Sequence, residues 1–251
     1  MLSWFSGING PGISLSDSSG INCMWTDDFI GLIFPRICSG CGNSLWKHEE
    51  VVCDSCLYHL PRTNFHLSPD NPVSRIFWGR SDILHAASFL LFNKGSKVQH
   101  LVHALKYKNR KDIGVFLGKE YGRDLKNCRF FSESTIIIPV PLHEKKYLKR
   151  GYNQSEQFAI GLSREMGIPC ACQYLFRKYY SETQTRKSRF MRWQNVNEIF
   201  GVRETGMLAG SHILLVDDVV TTGATLESCV NVLSAIPDVK ICLATIAYAK
   251  P

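Results

Sequence analysis

Two adjacent carboxylates and a threonine-rich turn lie together near the C-terminal end of the sequence. Asp217 and Asp218 follow an apolar run, and a five-residue turn begins after two valines. The turn consists of Thr221, Thr222, Gly223, Ala224 and Thr225. When such a turn opens a helix, its free backbone N–H groups and the positive end of the helix dipole bind a phosphate monoester. Gly223 lets the backbone approach that ligand closely.

Carboxylates beside a phosphate site need a cation or hydroxyl groups between them and the ligand. A ribose offers two hydroxyls, and Mg²⁺ binds carboxylate oxygens and phosphates. We therefore predict that Asp217 and Asp218 bind ribose hydroxyls, Mg²⁺ or its waters, while the turn holds a 5′-phosphate. The alternative is an acidic helix N-cap without a ligand. The apolar strand before the pair and the Thr-Gly turn after it favour the ligand.

A second segment combines a stiff turn with a basic loop. Pro139 and Pro141 bracket Val140 at the end of an apolar run, and the loop that follows leads to Arg150. Proline fixes φ and removes an amide donor, so the turn is rigid. The loop can present backbone amides and the Arg150 guanidinium to a diphosphate. An ordinary strand-to-helix connection with surface lysines explains the segment equally well.

A third segment, from Arg177 to Phe200, is polar and basic and lacks an apolar period. It predicts a mobile loop that closes over an anion. A surface loop without a ligand is the competing interpretation.

Four of the ten cysteines form two C-x-x-C pairs, Cys38 with Cys41 and Cys53 with Cys56. Two such pairs supply the four thiolates of a tetrahedral Zn²⁺ site, which would be structural because no position stays open. A redox disulfide is the rival interpretation. His48 lies between the pairs and is predicted to be a surface residue rather than a ligand. The other six cysteines are predicted to be buried, reduced thiols.

Apolar runs that alternate with amphipathic segments must position these motifs. Strands are predicted at 84–92, 135–140, 173–176, 212–216 and 240–247. Helices are predicted at 98–105, 113–125, 155–166 and 224–233. The alternation predicts an α/β fold with a mostly parallel sheet and helices on both faces. We divide the chain into a flexible tail at 1–33, a cysteine module at 34–65 and the α/β domain at 66–251.

The charge distribution agrees with an anionic ligand. The formal net charge is +7, and residues 94–151 alone hold 14 Lys and Arg against 5 Asp and Glu. Positive charge concentrated in this way favours an anionic partner. No apolar run is long enough for a membrane span, and the first residues do not resemble a signal peptide. We therefore expect a cytoplasmic protein.

The order of these motifs resembles one family, the ComF-type proteins. The matching runs are PVPLH from Pro139, RGYNQ from Arg150, the basic third segment and VDDVVTTGAT from Val216. Together with the paired cysteines, they follow the order found in ComF-type proteins. These are type I phosphoribosyltransferase-like proteins associated with natural transformation and DNA utilisation.

The resemblance implies binding of phosphoribosyl pyrophosphate (PRPP) or a related ribose phosphate with Mg²⁺. Asp217 and Asp218 would contact the ribose hydroxyls, directly or through Mg²⁺, and Arg150 would neutralise the diphosphate. Lys106, which belongs to a run similar to the family's LKY element, would also bind PRPP, as would Val140 and Pro141. The family often has an arginine where Lys146 or Tyr147 stands, which changes the cation that meets the ligand there.

Two functions follow from the resemblance. The first is a phosphoribosyltransferase that displaces pyrophosphate at the anomeric carbon, linked to DNA uptake or nucleotide salvage. The second is a non-catalytic accessory protein that binds single-stranded DNA and works with competence proteins such as a helicase. Tyrosines that interleave with cations, as on base-stacking surfaces, support the second function. They are Tyr107, Tyr147, Tyr152, Tyr179 and Tyr180. The competing interpretation is an ordinary protein surface, where such tyrosines are also common.

Overall fold

Four parallel strands form the central sheet of this protein. The structure is a computed structural model, and it describes residues 35–178 and 199–250. The strands are β1 (His85–Phe92), β2 (Ile136–Pro139), β5 (His212–Val220) and β6 (Lys240–Ala249), and they lie in the order β1–β6–β5–β2. Two short strands, β3 (Leu175–Arg177) and β4 (Phe200–Val202), pair antiparallel beside it. The predicted parallel sheet is confirmed.

Helices cover both faces of the sheet. They are α1 (Asp54–Tyr58), α2 (Pro72–Phe77), α3 (Lys97–Tyr107), α4 (Lys111–Lys126), α5 (Glu144–Arg150), α6 (Gln154–Met166) and α7 (Ala224–Leu233). One buried cluster joins Leu101, Leu117 and Phe158 of α3, α4 and α6 to one face of the sheet. The other joins Phe77 and Val230 of α2 and α7 to the opposite face. Continuous apolar strands such as β5 have both faces covered for this reason.

Helices α4 and α6 touch at two glycines. A Cβ on Gly118 would lie 2.3 Å from the carbonyl oxygen of Phe158, and one on Gly161 would lie 2.2 Å from that of Val115. Both distances are too short for any side chain, so the two backbones are in direct contact. This contact fixes α6, whose first turn reaches the carboxylates described below.

Strand β5 continues past the two aspartates, so the prediction that it ends at Val216 is wrong. Its neighbour β6 is long enough to pair with this extension, where Asp217 lies opposite Thr245 and Val220 opposite Tyr248. On the other side β2 stops at Pro139, opposite Val216. The two aspartates therefore stand on a strand that is paired on one side only.

From Ile37 onward the described residues form one compact unit, and the domain boundary placed at residue 66 stays a prediction. The predicted tail, which includes Cys23, and residues 179–198 of the basic third segment lie outside the described residues. None of the helices in the described part has the length and apolar character needed to cross a membrane.

Candidate functional site

The turn after β5 opens helix α7 with unpaired backbone amides. Within residues 35–178 and 199–250, no acceptor is found for the amides of Thr221, Thr222 and Gly223. The first amide of α7 that finds an acceptor is that of Glu227, 2.8 Å from the Gly223 carbonyl. The turn encloses a cavity of about 50 Å³, lined by Asp217 and residues 219–226. Unpaired amides at a helix start form an anion-binding site.

Gly223 is required in this turn for two reasons. Its φ is +75°, in the left-handed region that favours glycine. A Cβ at this position would also lie 2.6 Å from Cγ2 of Ile76 and 3.0 Å from the ring of Phe77. Helix α2 therefore supports the turn from behind, and the turn can hold this shape only with glycine.

Arg80 braces the turn from outside, and the sequence analysis missed it. Its Nη1 donates to the carbonyl oxygens of Thr222 and Ile76, both at 3.2 Å. Its other nitrogens pair with Glu227 in the first turn of α7. Arg80 lies in a connector far away in the chain, and no local pattern marks it.

The carboxylate of Asp217 is held in place by the start of helix α6. The Ser155 hydroxyl donates to its Oδ1 at 2.8 Å, and the Asp218 amide donates to the same oxygen at 2.8 Å. Burial raises the pKa of Asp217 to about 7, and the negative charge of Asp218 adds to the effect. The two hydrogen bonds and the Lys106 charge oppose this rise.

Lys106 lies at the carboxylates. Its Nζ is 2.9 Å from Oδ2 of Asp218, and both side chains are largely shielded, at 22% and 15% exposure. Asp217 Oδ2 and Asp218 Oδ1 have no hydrogen-bond or ion-pair partner within the described part of the chain. These two hard oxygen donors fit Mg²⁺ or ribose hydroxyls.

The residues from Arg150 to Ser155 connect the site to its surroundings. Arg150 donates to Gln154 at 2.6 Å and lies over the ring of Tyr107, 5.2 Å from its centroid. Asn153 donates to the Val140 carbonyl at 2.9 Å and accepts from the Ser155 amide, so that it caps α6. The segment thus fixes the proline turn, α6 and, through Ser155, the carboxylate of Asp217.

Tyr152 does not form part of a base-stacking surface, contrary to the prediction. Its side chain is buried, and its hydroxyl donates to the carbonyl oxygen of Leu105 at the end of α3. Tyr107 and Tyr147 are exposed, whereas Tyr179 and Tyr180 lie outside the described residues.

The four paired cysteines come together as one cluster that could hold a metal ion. The sulfur atoms of Cys38, Cys41, Cys53 and Cys56 all lie within 4.8 Å of one another. Burial alone would raise the pKa of the Cys38 thiol, but backbone hydrogen bonds, including those from Cys53 and Gly40, outweigh it and lower the pKa to about 6. Amide donors to sulfur favour the thiolate form that binds metals.

His48 stands apart from this cluster. Its side chain is exposed, and its Nε2 lies 3.0 Å from Oδ2 of Asp54. The four thiols alone would supply the four ligands of a tetrahedral site, so His48 is not needed as a ligand.

Comparisons with known proteins agree with this geometry. The family model "Phosphoribosyl transferase domain" matches residues 153–250. The DNA utilization protein YhgH of Shigella flexneri is 27% identical over 205 residues, which cover 78% of this chain and 83% of that protein. Competence protein F of Haemophilus influenzae is 35% identical over 106 residues, which cover 42% of this chain and 46% of that protein.

The matched domain and the named relatives support a phosphoribosyltransferase-like protein of the ComF family. Competence protein ComFC of Bacillus subtilis is a further relative of this chain, 23% identical over 73% of the chain and 78% of that protein. Among solved structures, an allosteric regulatory enzyme of purine biosynthesis aligns with a TM-score of 0.39 and 22% identity, over 57% of this chain and 30% of that one. The fold assignment itself rests on the observed sheet and the matched domain.

The structure brings most of the predicted site residues together. The matched domain contains both aspartates, the turn and Ser155. Lys106 and Val140 reach the same place from outside it, through Asp218 and Asn153. Arg150 lies at Gln154 and Tyr107, and no contact joins it to the turn among the described residues. Pro141 is half-buried beside Val140.

Proposed function

We propose that this protein binds PRPP, or another ribose phosphate, together with Mg²⁺ at the carboxyl edge of its parallel sheet. The observation that supports the proposal is the turn from Thr221 to Thr225. Its amides are unpaired, and it lies beside two carboxylates with free oxygens. Ligands of open parallel sheets bind outside the carboxyl ends of the strands.

Each part of the ligand would meet a different group. The amides and hydroxyls of the turn would hold the 5′-phosphate at the positive end of the α7 dipole. Asp217 Oδ2 and Asp218 Oδ1 would bind the ribose hydroxyls or Mg²⁺. Bound there, Mg²⁺ would supply charge neutralisation for a diphosphate. Ser155 would orient the Asp217 carboxylate toward the ligand.

We infer that the reaction class is displacement of pyrophosphate at the anomeric carbon of the ribose. Such a reaction needs positioning and charge stabilisation rather than a protein nucleophile. Arg150 is the cation we assign to the departing diphosphate. Its guanidinium stays half-buried between Gln154 and Tyr107, which limits its conformational freedom.

Titration calorimetry with Mg²⁺-PRPP tests the binding site. We expect wild-type protein to bind and the double variant Asp217→Asn/Asp218→Asn to lose at least tenfold in affinity. Asp238→Asn is the matched control, because Asp238 is exposed in the loop between α7 and β6. Absence of binding to wild-type protein, or equal binding by the double variant, would contradict the proposal.

We also propose that the four-cysteine cluster holds a structural Zn²⁺. The closeness of the four sulfurs and their amide donors support this assignment. Metal analysis of the purified protein should give about one zinc per chain. Cys38→Ser should lower it, whereas Cys128→Ser, at a buried cysteine outside the cluster, should leave it unchanged. A zinc content independent of Cys38 would refute the assignment.

We propose a cellular role in DNA uptake or utilisation, because relatives are named for competence and DNA utilisation. The accessory function in single-strand binding is the second candidate. It is favoured by helix α5, none of whose residues is buried and which presents Tyr147 among Lys145, Lys146 and Lys149. Such a surface suits a nucleic-acid backbone and its bases.

Fluorescence anisotropy with a labelled oligonucleotide separates the two candidates. The accessory function requires affinity that falls steeply with salt and is lowered by Tyr147→Ala. Tyr58→Ala is the control, since Tyr58 is also exposed but belongs to α1. No binding at low salt would leave the ribose phosphate site as the only proposed function.

A further inference from the structure

Two cysteines outside the zinc cluster lie side by side at the edge of the sheet. After α6 the chain runs along β2, where the Ile137 amide donates to the Pro169 carbonyl and the Ala171 amide donates to the Ile137 carbonyl, both at 2.9 Å. Cys170 is thereby fixed opposite Ile137 as a parallel bridge. Residues two apart in an extended segment point to the same side. Accordingly, the sulfur atoms of Cys170 and Cys172 are only 4.0 Å apart.

This pair differs from the other cysteines outside the cluster that the structure describes. Cys128, Cys229 and Cys242 are buried, as predicted, but Cys170 is half-buried and Cys172 is exposed. The prediction of buried thiols is therefore wrong for these two. The reason is that the chain reaches them at the outer edge of β2, where no further strand of the described sheet covers the segment.

The two thiols are chemically unequal. A hydrogen bond from Cys172 lowers the pKa of Cys170, although burial acts in the opposite direction. The same hydrogen bond raises the pKa of Cys172, and burial adds to that effect. Glu156 on α6 raises the pKa of both thiols through its negative charge. Cys170 is thus the stronger candidate for the attacking thiolate, and Cys172 is placed to attack it in turn.

A second metal site explains the pair less well. Among the described residues, the groups of three or more metal-binding side chains are the four-cysteine cluster and the set His48, Glu49 and Asp54. Neither includes Cys170 or Cys172. Two thiols 4.0 Å apart, one half-buried and one exposed, instead suit thiol–disulfide exchange.

We propose that Cys170 and Cys172 form a redox-active dithiol, which low-molecular-weight disulfides convert into an intramolecular disulfide. The Cys170 thiolate attacks one sulfur of the small disulfide, whose S–S bond breaks and releases one thiolate. Deprotonated Cys172 then attacks the Cys170 sulfur of the mixed disulfide and releases the second small thiolate. The protein loses two electrons and its two thiol protons, and the small disulfide becomes two thiols. An exposed disulfide of this kind is readily reduced again.

A redox titration of the full-length, zinc-loaded protein in glutathione buffers tests the proposal. After alkylation with iodoacetamide, trypsin yields the peptide from Glu165 to Arg177, which contains both cysteines and no other. As the buffer becomes more oxidising, we expect the doubly alkylated peptide to be replaced by an unalkylated peptide that lacks two hydrogens. Oxidation elsewhere in the chain does not change the mass of this peptide.

Variants with one cysteine of the pair replaced test the role of each thiol separately. Cys170→Ser and Cys172→Ser should each give a glutathione adduct in place of the internal bond, and Cys172→Ser should form it faster because it keeps the more acidic thiol. Buried Cys128 should remain a free thiol in every glutathione buffer. Iodoacetamide should therefore alkylate it whenever the protein is denatured before labelling. Persistence of the doubly alkylated peptide under the most oxidising buffer would overturn the proposal. Accumulation of wild-type peptide with two glutathiones would do the same.

Discussion

Gly223 offers the sharpest test of how the turn is built. Alanine at this position would have to adopt a φ of +75° and place its methyl group 2.6 Å from Ile76. The left-handed conformation costs about 1–2 kcal/mol for a residue with a Cβ. Inserting a methyl group into a packed contact costs about 1–3 kcal/mol more. We therefore expect Gly223→Ala to lower the free energy of unfolding by about 2–5 kcal/mol.

Two other glycines separate these contributions. Gly210 has a φ of +70°, and a Cβ at this position would have no atom within 4 Å, so Gly210→Ala measures the backbone strain alone. Gly206 also has open space, and its φ is not positive, so Gly206→Ala serves as the neutral control. The order of destabilisation should be Gly223→Ala, then Gly210→Ala, then Gly206→Ala.

Urea unfolding followed by far-ultraviolet circular dichroism measures all three variants. Adding Ile76→Ala should recover part of the loss in the Gly223→Ala background, with a coupling energy of at least about 1 kcal/mol. If Gly223→Ala destabilises the protein no more than Gly210→Ala, or if the coupling is zero, then helix α2 does not support the turn in the manner described.

Three further outcomes follow from the site. Ser155→Ala removes a hydrogen bond that favours ionised Asp217, so its pKa should rise by about one unit and Mg²⁺-PRPP affinity should fall about fivefold at pH 7. Calorimetry should show recovery at pH 9 and near wild-type affinity for Ser155→Thr, whereas a loss independent of pH would contradict this role. The pKa of Asp217 is raised on folding from 3.8 to about 7, so the group stabilises the folded state at low pH and this contribution is lost as pH rises between these values. Asp217→Asn should remove that part of the pH dependence of urea unfolding, and an unchanged slope would refute it. Arg80→Lys loses the Nη1 donor to Thr222 and should weaken ligand binding several-fold with little change in stability, because the Arg80–Glu227 pair is partly exposed to solvent. Affinity equal to wild type would exclude Arg80 as a brace.

The sequence was sufficient for features that depend on local patterns. The alternation of apolar strands and amphipathic helices predicted the parallel sheet, and helix α7 begins and ends at the predicted residues. The turn from Thr221 to Thr225 was recognisable because strand, carboxylates, turn and helix are neighbours in the chain. The two C-x-x-C pairs were equally visible, since metal-binding spacing is a local property.

What the sequence did not reveal depends on contacts between distant parts of the chain. Ser155 reaches Asp217 across 62 residues, and Arg80 reaches Thr222 across 142. Tyr152 looked like a surface tyrosine because its neighbours are polar, but its hydroxyl finds the carbonyl of Leu105. The length of β5 likewise depends on its partner β6, which continues to pair with it beyond Asp217.

The early end of β2 has a consequence for how the pocket arises. The last link between the two strands is the Val140 amide on the Val216 carbonyl, at 2.9 Å. Beyond that link the next pair of backbone groups is engaged elsewhere: the Val140 carbonyl accepts from Asn153, and the Asp218 amide donates to Oδ1 of Asp217. Space for a small molecule thus comes from a missing stretch of backbone, not from shortened side chains.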